Sequence, residues 1–358
     1  MKMVQNYKDT IQVRKGEELS KEKLKHFLQK TLLETANHEL EIEQFGAGHS
    51  NLTYLLKMGD WEAVLRRPPH GPVAAKAHDM KREYTFLKYI HSVYNTAPKP
   101  LIYSDDESVV GSPFFIMERK KGIILDTQFP DHLSYRPELG KQISKLMVNK
   151  LVELHQIDYK QTELIQLAKP EGFMERQVNG WIKRYERAKT DEIKEVEKLI
   201  HYLLKHIPNS TEATVIHYDY KLNNAMFTED FTQMTGLFDW EMSTIGDPLA
   251  DVAVAMSYWI QENDNDLLKF GLGKPPVTIM DGFFTRNQFI EEYASNSGRD
   301  VSTIDYYITF AYFKLAVIGQ QIYYRYKNGQ TNDPRFAKLN ILVKNMMRQA
   351  LQSANQYN

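Results

Sequence analysis

The fold is indicated most strongly by two stretches of sequence. These are Val215-Ile-His-Tyr-Asp-Tyr-Lys-Leu-Asn-Asn-Ala-Met-Phe227 and, shortly after it, Gly236-Leu-Phe-Asp-Trp-Glu241. The first carries the spacing His217-x-Asp219-x-Lys221-x-x-Asn224, and a second apolar run then ends in Asp239. Phosphoryl transfer needs one carboxylate to orient the attacking hydroxyl, and an amide and a second carboxylate to hold metal ions on the phosphates. Asp219, Asn224 and Asp239 supply these groups in that order. A polar β-hairpin between buried strands is the alternative interpretation, but the joint spacing favours phosphotransfer.

A likeness to known kinases extends from this stretch across most of the chain. The spacing resembles the protein-kinase pattern H-R-D-L-x-x-x-N followed by D-F-G. The chain as a whole resembles the aminoglycoside phosphotransferase (APH) and choline kinase-like superfamily, in particular its acyl-CoA-dehydrogenase-associated branch. The branch motifs are Val64-Leu-Arg-Arg-Pro-Pro69, Glu171-Gly-Phe-Met-Glu-Arg-Gln177 with Trp181, and Asp239-Trp-Glu-Met-Ser-Thr-Ile-Gly-Asp-Pro-Leu-Ala-Asp251. The resemblance implies ATP or GTP as the phosphate donor, Mg²⁺ as the metal, and a small-molecule hydroxyl acceptor.

Strand-like runs and helical stripes follow the order of a bilobal α+β fold. The predicted antiparallel strands are 40–45, 52–57, 62–66, 100–103 and 114–118. The predicted helices are 19–34, 77–91, 136–157, 190–206 and 249–260, the last of them apolar nearly all round and therefore buried. We expect a protein-kinase-like fold, with a small antiparallel N-terminal nucleotide-binding lobe over 1–118 and a mostly helical C-terminal catalytic and acceptor-binding lobe over 119–358.

The bulk composition excludes several other classes of protein. Hydrophobic residues make up 42% and charged residues 25% of the 358-residue chain, which is ordinary for a globular enzyme. The formal net charge of -1 favours neither nucleic-acid nor membrane binding. The chain has no cysteine, which excludes thiolate metal sites and fits a reducing compartment. We therefore expect a cytoplasmic protein without nucleic-acid or membrane partners; its oligomeric state is not predictable from the sequence.

The segment Phe45-Gly-Ala-Gly-His-Ser-Asn51 links two predicted strands and has the features of a phosphate loop. Its two glycines allow φ > 0 and a close approach of the backbone to a phosphate, and its serine and asparagine add hydrogen-bond donors. A plain β-turn is the alternative interpretation. The residues assigned here to nucleotide binding are Gly46, Gly48, Ser50, Asn51 and, at the lobe boundary, Glu118.

A basic residue on the third strand is expected to hold the phosphates. Ala63-Val-Leu-Arg66 stands where protein kinases carry V-A-I-K, whose lysine pairs with a glutamate of the following helix. Arginine offers a rigid fork in place of a point charge. Glu83 is the expected partner, because it lies on the core side of its helix and a buried carboxylate without a cation is costly. Arg67 is the fallback, although it points to the opposite strand face. The alternative for Glu83 is a rim salt bridge with Lys81 or Arg82.

Each polar residue of the hairpin receives a role. Asp219 is the expected catalytic carboxylate, with alignment of the acceptor hydroxyl as its chief task. Lys221 either neutralises the transferring phosphate or is a solvated charge. Asn224 and Asp239 are the expected magnesium ligands. Glu241 either supports the metal site or binds the metal itself.

Two aspartates near the next helix have structural assignments. Asp251 resembles the aspartate with which the superfamily braces its catalytic loop. Asp247-Pro248 predicts a helix start, with aspartate at the N-cap and proline at the first helical position. We expect His217 to have a structural role and not to act as a base.

The acceptor is expected to bind in the C-terminal lobe. The candidate contacts are Trp181, Arg184, Tyr185, Tyr258, Trp259 and Glu262. A cationic antibiotic would require an acidic pocket, but the acidic run Glu262, Asp264 and Asp266 is typical of a solvated loop. The branch resemblance implies instead a hydroxylated acyl thioester or another small alcohol.

The leading hypothesis is a small-molecule kinase that transfers the γ-phosphate of ATP or GTP to the hydroxyl of such a thioester or of an aminoglycoside-like alcohol. A catalytically silent nucleotide-binding scaffold with a kinase fold is the alternative, and intact Asp219, Asn224 and Asp239 argue against it. A protein kinase is disfavoured because no A-P-E segment follows Asp239.

Overall fold

A computed structural model describes residues 9–32, 38–46, 51–69, 78–209, 212–271, 273–331 and 333–355. The chain divides into two compact units. The first joins Met1–Lys121 to the short segment Gly236–Glu241, and the second contains Gly122–Thr235 and Met242–Asn358. The predicted lobe boundary at residues 118 and 119 assigns 236–241 to the C-terminal lobe, so the packing of this segment in the first unit bears directly on the candidate site.

The first unit contains a six-stranded antiparallel sheet with the spatial order β1-β2-β3-β4-β6-β5. Its elements are β1 (Thr10–Ile11), α1 (Lys21–Thr31), β2 (Glu41–Phe45), β3 (Leu52–Met58), β4 (Trp61–Arg67), α2 (Met80–Ile90), β5 (Pro100–Ser104), α3 (Glu107–Val110) and β6 (Phe114–Glu118).

Apolar residues of the sheet and of α1 form the core of this unit. Leu24 and Leu28, one helical turn apart on α1, pack with Tyr54, Leu65 and other buried residues of β3, β4 and β6. Strand β4 lies in the interior of the sheet, between β3 and β6, and is buried from Ala63 to its end. Polar side chains on this strand therefore need partners from neighbouring elements.

The second unit is mostly helical. Its elements are β7 (Ile123–Ile124), α4 (Pro137–His155), α5 (Phe173–Ala188), α6 (Glu195–Lys205), β8 (Thr214–Ile216), β9 (Ala225–Phe227), β10 (Met234–Leu237), β11 (Thr244–Gly246), α7 (Pro248–Tyr258), α8 (Asp266–Phe270), α9 (Arg286–Ser297), α10 (Ile304–Lys327) and α11 (Leu339–Asn355), with the last two residues of β10 counted in the first unit.

Two short antiparallel strand pairs flank the loop that contains Asp219 and Asn224. Strand β8 pairs with β11, with Val215 opposite Ile245, and β7 pairs with β9, with Ile123 opposite Phe227. The residue before β7 must be glycine, because Gly122 has φ +153° and an added Cβ would lie 2.3 Å from the carbonyl oxygen of Phe227. These pairs fix both ends of the loop between β8 and β9.

The buried helix α7 begins as the sequence predicts. Asp247 is its N-cap and accepts a hydrogen bond from the backbone N–H of Leu249, and Pro248 occupies the first helical position. Every residue of the helix up to Ser257 is buried, which confirms the interpretation of an apolar stretch without a solvent face. Among the described residues no helix is long and apolar enough to cross a membrane.

Candidate active site

In the first unit, Arg66 on β4 is held between two carboxylates. Its Nε lies 3.1 Å from Oε2 of Glu83, on the first turn of α2, and its guanidinium also donates to Oδ1 of Asp239. The Nε–H of Arg66 and Oε2 of Glu83 are close but not aligned as a hydrogen bond, so this contact is an ion pair. Arg66 and Glu83 are 8% and 2% exposed. The structure thus brings together three residues that the sequence assigns to one nucleotide and metal site.

Burial and crowding of negative charge set the electrostatics of this cluster. Burial raises the pKa of Glu83 to about 7, against the opposing charge of Arg66. Burial and the charge of Asp239 likewise raise the pKa of Glu241. Burial disfavours the charged form of Arg66, but Glu83 and Asp239 outweigh it and keep the pKa of Arg66 above its ordinary value. One guanidinium therefore serves three carboxyl groups, and a divalent cation would relieve the excess negative charge.

Arg67 has a different environment from its neighbour. Its guanidinium donates to the carbonyl of Val110 at the end of α3, and its Nε donates to the carbonyl of Pro68 at 3.3 Å. The alternation of side chains along a strand explains this separation of Arg66 and Arg67. The candidate phosphate clamp with a carboxylate partner is therefore Arg66.

A polar network around Glu241 includes two residues that the sequence analysis did not assign to the site. Oε2 of Glu241 accepts a hydrogen bond of 3.2 Å from Nδ2 of Asn51, and Oδ1 of Asn51 lies 2.8 Å from Nδ1 of His78. The guanidinium of Arg82 donates to the backbone carbonyl of Glu241. Asn51 and Glu241 are distant in sequence, and neither His78 nor Arg82 lies in a recognisable motif, so no local signal predicts these contacts.

The other residues assigned to nucleotide binding have mixed outcomes. Gly48 and Ser50 lie outside the described residues. Gly46 does not have the positive φ that the sequence analysis allowed, and an added Cβ would meet Ile11 at an ordinary 3.5 Å, so its backbone does not require glycine. The carboxylate of Glu118 pairs with Lys120 at 2.6 Å. A nucleotide contact by Glu118 stays a prediction.

In the second unit, the loop between β8 and β9 brings two polar side chains to one carboxylate. Oδ2 of Asp219 accepts hydrogen bonds from Nζ of Lys221 at 2.8 Å and from Nδ2 of Asn224 at 3.0 Å. The same Nδ2 also donates to the backbone carbonyl of Asp219 at 3.0 Å. These bonds occupy Oδ2 of Asp219 and orient the amide of Asn224. Within the described residues, Oδ1 of Asp219 has no hydrogen bond, so it can accept one from an acceptor hydroxyl.

Asp251 braces this loop from within the core. Its two carboxylate oxygens accept hydrogen bonds from the backbone N–H groups of His217, at 2.7 Å, and Tyr218, at 2.8 Å. Nε2 of His155 lies 3.1 Å from the same carboxylate. Burial raises the pKa of Asp251, but the hydrogen bonds and the charge of His155 outweigh it and lower the pKa below its ordinary value. The structural contacts agree with the bracing role that the superfamily resemblance implies.

A lysine that the sequence analysis did not consider lies beside the same loop. Lys314 on α10 is 4% exposed. Its Nζ donates to the carbonyl of Tyr218 at 3.1 Å and lies 3.4 Å from the centroid of the Tyr218 ring. Burial lowers the pKa of Lys314 to about 7, although the charges of Asp219 and Asp251 oppose this. The sequence contained one signal, since Phe310 and Val317 place position 314 on a buried face of the helix.

The residues that the sequence analysis expects to contact the acceptor fall into two groups. Some lie in the hydrophobic core, and others lie near the catalytic loop. Trp259 is a core residue that donates its indole N–H to the carbonyl of Phe284, and Tyr185 is also buried in the core. Trp181 lies closer to the loop, since Nζ of Lys314 is 5.8 Å from its ring. The guanidinium of Arg184 stacks on Trp181 at 4.4 Å.

The acidic run after α7 is not uniformly solvated. The side chain of Asp264 is only 7% exposed and pairs with Arg286, whereas the side chain of Asp266 is 86% exposed. The expectation of a solvated loop is therefore wrong for Asp264. Because its charge is already neutralised, this aspartate does not provide an acidic pocket for a cationic acceptor.

Asp239 and Glu241 of the first unit offer carboxylate oxygens, and Asn224 of the second unit offers an amide oxygen; such oxygen atoms are the ligands that Mg²⁺ prefers. Among the described residues, no three histidine, cysteine, aspartate or glutamate side chains form a cluster able to hold a metal ion. Magnesium bound to a nucleotide needs only one or two protein carboxylates in addition to the phosphates. The residues present therefore fit magnesium held together with a nucleotide.

The fold and these residues define a phosphotransferase with a protein-kinase-like fold. A family model described as "Phosphotransferase enzyme family", APH, matches residues 41–272. The chain belongs to this family of phosphotransferases, which confirms the resemblance inferred from the sequence.

Two similar curated proteins are much longer than this chain. The chain is 30% identical over 340 residues to acyl-CoA dehydrogenase family member 10 of Mus musculus, covering 94% of this chain and 31% of that protein. It is 30% identical over 311 residues to acyl-CoA dehydrogenase family member 11 of Homo sapiens, covering 85% of this chain and 39% of that protein. The chain thus spans about a third of the length of these curated relatives.

Two solved structures illustrate the shared fold. A protein of Ralstonia eutropha JMP134, provisionally described as an aminoglycoside phosphotransferase, has 26% identity and a TM-score of 0.78, covering 95% of this chain and 99% of that chain. A choline kinase from Cryptosporidium parvum Iowa II has 14% identity and a TM-score of 0.62, covering 94% and 96% of the two chains. These similarities confirm the predicted α+β, protein-kinase-like fold.

A third solved structure contains bound ligands. It is a thermostable mutant of the aminoglycoside phosphotransferase APH(4)-Ia, crystallised as a ternary complex with ADP and hygromycin B. It has 13% identity and a TM-score of 0.58, covering 92% of this chain and 98% of that chain. At this identity the similarity concerns the fold alone.

Proposed function

We propose that this chain transfers the γ-phosphate of ATP, bound with magnesium, to the hydroxyl of a small acyl compound, with a hydroxyacyl thioester as the leading acceptor. The observation that carries the proposal is the hydrogen bonding of Asp219. Its Oδ2 accepts hydrogen bonds from Lys221 and Asn224. Its Oδ1 accepts no hydrogen bond from any residue that the structure describes. A carboxylate fixed on one oxygen is suited to align a hydroxyl with the other.

The nucleotide end of the reaction is assigned to residues of the first unit. Arg66 grips phosphate oxygens with its guanidinium, and Glu83 holds Arg66 in place through the 3.1 Å ion pair. Asp239 is assigned as a magnesium ligand, and Glu241 supports it through the Asn51 network. Magnesium held there would offset the negative charge of the nucleotide phosphates.

The acceptor end is assigned to the second unit. Asp219 orients the hydroxyl and receives its proton as the new oxygen–phosphorus bond forms and the bond to the leaving nucleoside diphosphate breaks. Lys221 offsets negative charge on the transferring phosphate. The carbonyl oxygen of Asn224 is assigned as the second protein ligand of magnesium, because its Nδ2 is already bonded to Asp219.

The charge near Asp219 favours an acyl acceptor over a cationic one. Arg184 and Lys314 place positive charge near Tyr218, the residue before Asp219, and Asp264, the buried acid of the run after α7, is neutralised by Arg286. An aminoglycoside or a choline-like cation would be repelled by such a set, whereas a carbonyl or carboxylate oxygen would be attracted. The names of the longer relatives, which are acyl-CoA dehydrogenases, support the same acceptor class.

A direct assay tests this function and separates it from a silent nucleotide-binding scaffold. The chain is incubated with magnesium and either ATP or GTP, in the presence of hydroxyacyl-CoA thioesters, free hydroxy acids, choline and hygromycin B, and phosphorylated products are detected by mass spectrometry. We expect ATP-dependent phosphorylation of the acyl acceptors. Nucleotide binding without any phosphorylated product would support the scaffold, and preference for hygromycin B or choline would refute the acyl assignment.

A further inference from the structure

Two buried groups beside the catalytic loop have hydrogen-bonding capacity that the fold does not use. The indole N–H of Trp181 on α5 is buried and, within the described residues, has no hydrogen-bond partner. Trp181 as a whole is 5% exposed. A buried donor without an acceptor costs about 1–3 kcal/mol, so such a group needs a reason for its presence.

Lys314 lies near the same indole, with its Nζ 5.8 Å from the ring centroid. The contacts of its Nζ with described residues are one hydrogen bond, to the carbonyl of Tyr218, and the ring faces of Tyr218 and Trp181. An ammonium group carries three N–H donors, so at least one further acceptor is needed to satisfy it. No described carboxylate lies within ion-pair distance of Lys314, although Asp219 and Asp251 influence its charge from farther away.

Arg184 adds a second cation to this pair. Its guanidinium lies 4.4 Å from the centroid of the Trp181 ring. Its positive charge acts to lower the pKa of both Tyr218 and Lys314. Two cations therefore approach one indole without an anion between them. Arg184 is exposed and hydrated whereas Lys314 is buried, so Arg184 adds positive charge at the solvent side of this site and Lys314 adds it within the protein.

We infer that Trp181, Arg184 and Lys314 form a subsite for the acyl oxygen of the acceptor, which is the carboxylate oxygen of a hydroxy acid or the carbonyl oxygen of its thioester. The subsite rests on the proposed function, because it assumes that the acceptor hydroxyl is aligned by Asp219. Tyr218, which Lys314 contacts, directly precedes Asp219 in the chain, so the subsite lies beside the segment that carries the catalytic carboxylate. The enzyme would thus select alcohols whose hydroxyl lies a few bonds from an acyl oxygen.

Matched acceptor pairs measure this selectivity. Each pair consists of a hydroxyacyl compound and the alcohol in which a methylene group replaces its carbonyl, and the quantity compared is the ratio of their kcat/KM values. Free hydroxy acids and N-acetylcysteamine thioesters form separate arms, which distinguish a carboxylate from a thioester carbonyl. We expect the wild-type chain to favour the acyl member in at least one arm.

Trp181→Phe is the decisive variant, because it keeps an aromatic ring and removes the indole N–H that the fold does not use. We expect the preference for the acyl member to fall by about 3–10-fold, as for the loss of one hydrogen bond; the smaller ring should lower the Tm, but this loss of packing affects both members of a pair and leaves their ratio unchanged. Lys314→Met should reduce the preference by about 10–100-fold, as for the loss of a charged hydrogen bond. Lys314→Arg should restore part of it.

Lys327→Met is the matched control, since Lys327 lies on the same helix and makes a surface ion pair with Asp191. It should leave the preference unchanged. Equal losses for both members of each pair in Lys314→Met, together with no effect of Trp181→Phe, would show that Lys314 only supports the loop and would overturn the subsite.

Failure of the proposed function is recognised separately. If the wild-type chain phosphorylates no member of the panel, that function fails, and the subsite is judged by calorimetric binding of the same hydroxy acids and alcohols. Tighter binding of the acyl members by the wild-type chain than by Trp181→Phe would support the subsite. Equal binding by the two proteins, or no binding by either, would overturn it.

Discussion

Two residues of the candidate site hold backbone conformations that side chains disfavour. Tyr218 has φ +64° and Asp239 has φ +69°. Such conformations cost about 1–3 kcal/mol each and persist only where neighbouring contacts enforce them. For Tyr218 these contacts are the hydrogen bonds from its N–H to Asp251 and from Lys314 to its carbonyl. The strained residues are an assigned metal ligand and the neighbour of the assigned catalytic carboxylate, so strain and sequence motif coincide.

Asp219→Asn separates chemistry from nucleotide binding. The substitution keeps the size of the side chain and removes the negative charge that orients the hydroxyl. We expect kcat to fall by at least about 100-fold, with the Kd for magnesium-ATP within a few-fold of wild type. Single-turnover kinetics and calorimetry measure the two quantities. Loss of nucleotide binding together with activity would assign Asp219 to the metal site instead.

Asp239→Ala should give the opposite pattern. The assigned metal ligand is removed, so we expect magnesium-dependent binding of ATP to be lost, while Asn224→Ala should weaken it less because a neutral ligand is removed. Asp266→Ala, which removes an exposed carboxylate, is the control and should bind normally. Isothermal titration with and without magnesium provides the measurement. Normal magnesium-ATP binding by Asp239→Ala would contradict the assignment.

The low pKa of Lys314 predicts that kcat/KM for an anionic acceptor depends on pH. Below about pH 7 the lysine is charged and binds an anionic acceptor, and above it the charge is lost, so kcat/KM for a hydroxy acid should fall as the pH rises through 7. Lys314→Arg should abolish this fall, because arginine stays protonated. The ionisable groups that influence Lys314 are Asp219, Asp251, Arg184 and Lys221. An identical decline in the Lys314→Arg variant would assign the titration to one of the others.

At the scale of elements, periodicity and capping predicted most of the first unit and part of the second. The predicted strand 62–66 corresponds to Trp61–Arg67, and the predicted helix 77–91 to Met80–Ile90, which Asp79 caps. The interaction of β4 with α2 followed from burial, since a carboxylate on the core side of a helix requires a cation. By contrast, Lys314 could not be assigned to the site, because its partner Tyr218 lies on a different element, far away in sequence. One sequence reveals periodicity within elements but not which elements meet.

Glu83→Gln tests the pairing of β4 with α2. Glutamine keeps the size of the side chain but removes the charge that holds Arg66, so we expect turnover to fall by about 10–100-fold through misplacement of the phosphate clamp. The Tm should change little. Arg66→Lys should also be strongly impaired, because a point charge replaces the fork. Glu62→Gln, on the same strand but in a surface ion pair with Lys121, is the control. Wild-type turnover in Glu83→Gln would exclude a positioning role.

At the scale of the whole molecule, the first unit is discontinuous in sequence. The segment Gly236–Glu241 belongs to it although residues 122–235 of the second unit separate this segment in the chain from the rest of the first unit. Trp240 is buried between Phe86, at 5.8 Å, and Tyr94, at 6.0 Å between ring centroids. The backbone N–H of Leu237 donates to the carbonyl of Thr96 at 2.9 Å. Asp239 is thereby anchored to the unit that contains Arg66, so the assigned metal ligand and phosphate clamp are fixed relative to each other.

This discontinuity predicts how the first unit behaves when it is isolated. A fragment of residues 1–121 lacks the buried side chain of Trp240. Arg66 then loses its ion pair with Asp239, and Glu83 loses its hydrogen bond from the backbone N–H of Trp240. Removal of a buried tryptophan alone costs about 3–5 kcal/mol, a large share of the roughly 5–15 kcal/mol that stabilises a domain. We therefore expect no cooperative thermal transition in near-ultraviolet circular dichroism. Joining residues 234–242 to the fragment through a glycine–serine linker should restore the transition, and Trp240→Ala in the joined protein should abolish it again. A cooperative transition in the 1–121 fragment alone, at the same Tm as the joined protein, would show that the segment does not stabilise the unit.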